Sequence, residues 1–170
     1  MGKAELIRSL YEHNEWANER LLDASTRVSE EELTRVRGPD CGSLQDILMH
    51  NLASHLVAIA TWKMQPPALA KVEPGKAIEA MRASYDRVHA KLRELVDSLT
   101  DEGLDASMEL LNPTKDGVWR TWQRPAWQVA LSLGSHAMQH RGEAALILTE
   151  LGHSPGEIDY SYFCWRSLDD

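Results

Sequence analysis

The chain has 170 residues, 43% hydrophobic and 26% charged, the make-up of one folded domain rather than of a disordered or fibrous chain. Its 26 acidic residues against 18 basic ones give a net charge of −8, which speaks against nonspecific binding to a nucleic-acid backbone. No apolar run approaches the roughly 20 residues that cross a bilayer, the start MGKAELIRSLYEHNEW reads as neither a signal peptide nor a myristoylation site, and two isolated cysteines, Cys41 and Cys164, point to reduced thiols in the cytoplasm.

The predicted elements are mostly helical. Leu6, Leu10, Ala17 and Leu21 recur at helical spacing over about residues 3–26, with Glu12, Glu15, Glu19 and Arg20 toward water. Ser29 before Glu30, Glu31 and Glu32 predicts a capped short turn of helix, and RGPDCG a loop. Ser43 is placed to cap a second long helix, with Asp46 at its amino end and Leu44, Ile47, Leu48, Leu52, Leu56 and Ile59 along it, until Pro66-Pro67 stops it. A third begins near Pro74, and its stripe of Ile78, Met81, Tyr85, Val88, Leu92, Leu95 and Leu99 alternates steps of three and four. SMELL and VWRTW around NPTKDG predict a small hairpin. Pro125 opens a fourth long helix that Gly152 ends near Glu150, and a short helix is expected to start at Ser154-Pro155 and pack its aromatics on the bundle. The pattern is all-α: a single four-helix-bundle domain over residues 1–170.

Seven histidines occur, at 13, 50, 55, 89, 136, 140 and 153. His136 and His140 lie four apart, about 40° around the helix axis and one above the other, so two imidazoles can face one divalent cation. They stand in the small, apolar stretch of Leu133, Ala137, Ala144 and Ile147, where unpaired imidazoles are costly to bury. His50 on the second long helix can lie inward and supply a third ligand, or serve as a core histidine bonded to a backbone oxygen. His55, about 140° further around, cannot share that site and is expected at the boundary or surface.

The segments LYEHNEWANERLL, GSLQDILMHNLASHLVAIATW and HAMQHRGEAALILTELGHSPGEIDY, in this order over nearly the whole chain, resemble the DinB family of metal-dependent helical-bundle proteins. The resemblance implies an up-down-down-up bundle with one long crossover, a homodimer, and a metal held between the second and fourth long helices by His50, His136 and His140. Two positions depart from the family pattern. Glu143 stands where HRGQ is common, as an acceptor behind His140 or a solvent-facing charge. His13 replaces a common Asn, either as an acid-base group at the mouth of the metal site or as a polar cap on the first helix.

Three imidazoles leave a divalent ion its charge and an open position, suited to zinc and also open to nickel or iron(II). There is no HExxH base, no set of two Glu-x-x-His motifs as in a diiron bundle, and no glycine-rich phosphate loop. The resemblance implies a thiol-dependent transferase or isomerase, using a low-molecular-weight thiol on a small-molecule substrate. A metal-dependent hydrolase and a noncatalytic protein with a structural metal are the alternatives. Trp16, Trp62, Trp119, Trp122, Trp127 and Tyr162 are material for an acceptor pocket, or else core and interface residues. Arg141 is expected to anchor a tail acid such as Asp159; neither cysteine is marked as a nucleophile, and Asn51, Tyr11 and Tyr85 read as structural. No membrane and no nucleic-acid partner is expected.

Overall fold

The computed structural model describes residues 1–38, 42–63, 78–113 and 116–166. Four long helices carry the fold: α1 (Lys3–Ser25), α3 (Leu44–Trp62), α4 (Ile78–Asp97) and α6 (Ala126–Glu150). Short helices α2 (Glu30–Thr34), α5 (Asp101–Asp105) and α7 (Tyr160–Trp165) and the strands β1 (Ser107–Pro113) and β2 (Trp119–Pro125) fill the connections. The strands pair antiparallel, with Leu110 opposite Trp122, as the expected hairpin before the last long helix. Among the described residues no helix is long and apolar enough to cross a membrane.

Helix starts follow their caps. Ser29 accepts from the Glu32 amide, and Ser43 and Asp46 form a reciprocal capping box that fixes where α3 begins. The start of α1 has no side-chain cap of its own. Asp101 supplies one from α5, accepting from the Ala4 amide at 2.8 Å. The short helix α5, which the periodicity does not predict, is itself started by Thr100, whose hydroxyl accepts from the Gly103 amide at 3.1 Å. Gly152 ends α6 at φ +78°, a conformation that costs glycine no steric penalty. The last helix starts later than expected, at Tyr160, because Asp159 is the residue whose carboxylate caps the Tyr162 amide. Pro66, Pro67, Pro74, Cys41 and the centre of the hairpin turn lie outside the described residues.

Contacts along the helices set their directions. Tyr11 meets Ala130 and Asn14 meets Gly134, so α1 and α6 run parallel. Asp23 pairs with Arg82 and Arg8 donates to the Leu99 carbonyl, so α4 runs antiparallel to α1. His50, near the start of α3, stands beside His136 and His140, whereas Trp62 at its end packs with the cluster that holds Ala126 and Val129, so α3 opposes α6. The order is up-down-down-up, and residues 63–77 join the parallel α3 and α4. Gly134 lets α1 and α6 come close, since a Cβ there would sit 2.6 Å from Leu10 Cδ2.

The stripe from Ile78 to Leu99 is buried throughout except for the half-buried Leu95. Leu6, in contrast, is exposed, and Ala4 and Ile7 take its place on the inner face of α1. On α1 and α6 a buried polar layer separates two apolar clusters. In it Asn51 Nδ2 donates to Asn18 Oδ1 at 2.9 Å, and Asn18 Nδ2 donates to His89 Nε2 at 3.2 Å. Tyr85 donates to the Leu48 carbonyl at 2.7 Å. His55 and Arg141 complete the layer.

Candidate metal centre

The capping box at Ser43 places His50 in the second turn of α3, and the antiparallel α6 brings His136 and His140 beside it. One ligand atom from each of the three lies within 4.8 Å of the others. Ring centroids stand 4.5 Å apart for His50 and His140, 4.7 Å for His136 and His140, and 5.8 Å for His50 and His136. His50 and His136 are exposed and His140 is half-buried. The expected inward position of His50 is therefore corrected: the three rings meet on the outer seam between α3 and α6, open to water. Burial cost is not what distinguishes them.

The inward face of α3 belongs to His55 instead. It is 3% exposed and packs edge-on to His89 and Tyr85. Its expected surface position is thus reversed, for a simple reason. The 140° separation from His50 holds, but His50 is the residue that faces out. Burial, followed by the neighbouring charges of His89 and Arg141, pushes the His55 imidazole down to about 3.

Within the cluster the rings are ordered by hydrogen bonds along α6. His140 Nδ1–H donates to Glu143 Oε2 at 2.9 Å, and Gln139 Nε2 donates to Glu143 Oε1 at 3.1 Å. Of the two readings left open for Glu143, the structure takes the acceptor behind His140. With Nδ1 protonated, His140 Nε2 carries the lone pair and faces His136 Nε2 at 3.2 Å. Two imidazole nitrogens on one tetrahedral ion at about 2.05 Å each stand roughly 3.3 Å apart, so the pair fits a shared cation. Burial and then the neighbouring imidazoles lower the His136 pKa, favouring its neutral, ligating form. The Glu143 carboxyl is lowered chiefly by the bond from His140.

His13 is not brought to this cluster. It is 1% exposed, its Nε2–H donates to the Ile158 carbonyl at 2.8 Å, and its ring lies among Trp16, Tyr160 and Phe163. It pins the C-terminal segment to α1. Arg141 does not anchor Asp159 as expected; that carboxylate caps α7, while the Arg141 guanidinium is buried with both terminal nitrogens unpartnered. Burial pushes the guanidinium down to about 10. Among the described residues the aromatics do not gather into one pocket: Trp16 packs on Phe163, Trp62 and Trp127 pack at the far end, and Trp122 and Tyr162 are exposed; the Trp119 side chain lies outside the described residues. Asn51, Tyr11 and Tyr85 hold other protein groups, as expected. Cys164 is exposed. A cleft of about 200 Å³ between α1 and α4, lined by Arg8, Tyr11, Asn14, His55, His89 and Arg93, includes none of the three clustered histidines.

Comparison with known proteins gives a family and a fold. The DinB family profile matches residues 1–167. The fold is similar to that of a DinB-like protein (YjoA) from Bacillus subtilis solved by crystallography, with a TM-score of 0.63 and 16% identity, covering 85% of this chain and 93% of that one. At that identity the likeness is one of fold. No curated protein matches the chain.

Proposed function

The chain belongs to the DinB family, and from that premise we propose that it is a divalent-metal-dependent enzyme whose ion is held by His50, His136 and His140. The supporting observation is the cluster itself: three imidazole ligands within 4.8 Å, two of them exposed. Three ligands on a solvent-facing seam leave a position for substrate, whereas a purely structural zinc site is closed by four. When bound, a divalent ion supplies Lewis acidity, able to polarise a carbonyl or draw the proton from a coordinating thiol. The all-imidazole ligand set suits zinc, nickel or iron.

Among reaction classes we favour transfer or isomerisation with a low-molecular-weight thiol as co-substrate. A metal ion acidifies bound water and bound thiol alike, but the carboxylate beside the cluster, Glu143, is engaged by His140 and Gln139 and is not free as the general base of a hydrolase. A thiol is acidic enough to need none. The family resemblance points the same way. We also assign a homodimer, on the exposed apolar side chains Leu131, Met138 and Leu146 along α6.

The test is metal content by mass spectrometry together with thiol-transfer rates to electrophilic acceptors, measured on the purified protein with zinc, nickel or iron(II) added. Metal-dependent turnover of a thiol is the expected result. Tight metal binding without turnover of thiols, esters or amides would reassign the ion to a structural role. Hydrolysis without thiol dependence would reassign the reaction class.

A further inference from the structure

We propose that Glu143 is the positioning residue of the three-histidine centre, holding His140 in the tautomer that presents its Nε2 lone pair to the ion. This rests on the metal reading above. An exposed ion pair on a helix is ordinarily worth little, so the inference depends on what this contact decides.

A neutral imidazole has two tautomers, and only one leaves Nε2 free to ligate. Glu143 Oε2 accepts from His140 Nδ1–H at 2.9 Å, which selects that tautomer. The carboxylate is itself held, because Gln139 Nε2 donates to Oε1 at 3.1 Å. Gln139 and His140 lie four and three residues before Glu143 on α6, so the helix backbone brings each of them to its carboxylate. The selected nitrogen is the one that stands 3.2 Å from His136 Nε2. A carboxylate behind a ligating imidazole also raises its basicity and adds negative charge near an otherwise all-neutral ligand set. Gln, common at this position in the family pattern, can accept the same bond but brings no charge. This chain is therefore built to hold its ion more firmly than the amide version would.

The experiment compares Glu143→Gln, Glu143→Ala and Gln139→Ala with the parent by competition titration of Zn²⁺ and Co²⁺. The ring-nitrogen NMR signals of His140 are recorded on the metal-free proteins at about pH 8, above the ordinary imidazole range. Glu143 is 42% exposed, so the substitutions leave the core intact. We expect about a 10–100-fold weaker metal affinity for Glu143→Ala, a smaller loss for Glu143→Gln and the smallest for Gln139→Ala. His140 should be Nδ1-protonated in the parent and a mixture of tautomers in Glu143→Ala. Unchanged affinity in Glu143→Ala beside a metal-binding parent would overturn the proposal. If the parent binds neither ion, the metal reading fails, and the tautomer measurement still decides the role of Glu143. The same mixture in parent and variant overturns it.

Discussion

The Nε2 atoms of His136 and His140 face each other at 3.2 Å across one turn of α6. Glu143 holds the proton of His140 on the far side of its ring, so the near nitrogen brings a lone pair to this contact. Either a proton on His136 or a shared cation must lie between the two. His50, from α3, closes the third side.

Replacing His50 with alanine leaves a two-imidazole chelate. Zn²⁺ affinity is expected to fall by roughly 100-fold or more, and metal-dependent turnover with it. Isothermal titration of the purified variant measures the first directly. Full metal occupancy in His50→Ala would remove that residue from the ligand set.

His13→Ala should behave in the opposite way. The ion stays bound with affinity within about twofold of the parent, because the ring is spent on Ile158 and its aromatic neighbours. The cost appears in stability, roughly 1–3 kcal/mol for a lost buried hydrogen bond and its packing. Faster amide exchange in the Ile158–Phe163 stretch locates the effect. Metal loss in this variant would bring His13 into the centre.

Stability should fall on the acid side through the buried histidines. His55 titrates near 3 when folded and near about 6.5 when unfolded. Above that unfolded value neither state takes the proton, and the residue has no effect on pH dependence. Below it the unfolded chain binds a proton that the folded chain refuses, so stability drops by about 1.4 kcal/mol per pH unit until the folded pKa is reached. Burial shifts His13 and His89 in the same direction. Denaturant titrations at pH 7.5 and 5.5 should show the loss, and His55→Leu should flatten it. An equally steep fall in that variant would exclude His55 as its source.

A homodimer predicts a mass near twice 19.2 kDa at micromolar concentration in sedimentation equilibrium. Met138→Glu, on the exposed face of α6, should shift the protein to the monomer. A monomeric parent defeats the assignment.

The long helices, the caps at Ser29 and Ser43 and the hairpin were legible in the sequence because period, Ser-x-x-acid caps and β-rich runs are local signals. That His50, His136 and His140 come together was legible through spacing and family pattern, yet their exposure was not. Periodicity finds a helix face, but the turn of that face toward core or water depends on which neighbour packs there. On α3 the leucines run on both sides of His50, and only the packing of α4 and α6 shows that Asn51 and His55 face in. The α1 layer left a signal that was passed over: Asn14 and Asn18, four apart, flank Ala17 on the stripe that continues to Leu21. Asp101 capping α1 and His13 bonding Ile158 join residues 97 and 145 positions apart, beyond the reach of any local pattern.

The chain of bonds from Asn51 through Asn18 to His89 ties α3, α1 and α4 at one height of the bundle. Leucines are interchangeable in a way these groups are not. If one helix slid by a turn, its apolar stripe would still meet apolar partners, but each amide would face a hydrocarbon wall, at a cost of about 1–3 kcal/mol per unmade buried bond. The layer thus acts as a vernier that admits one alignment of these helices. Because His50 lies one residue before Asn51 on α3, the ratchet that seats the asparagine also sets how high His50 stands against His136 and His140 on α6.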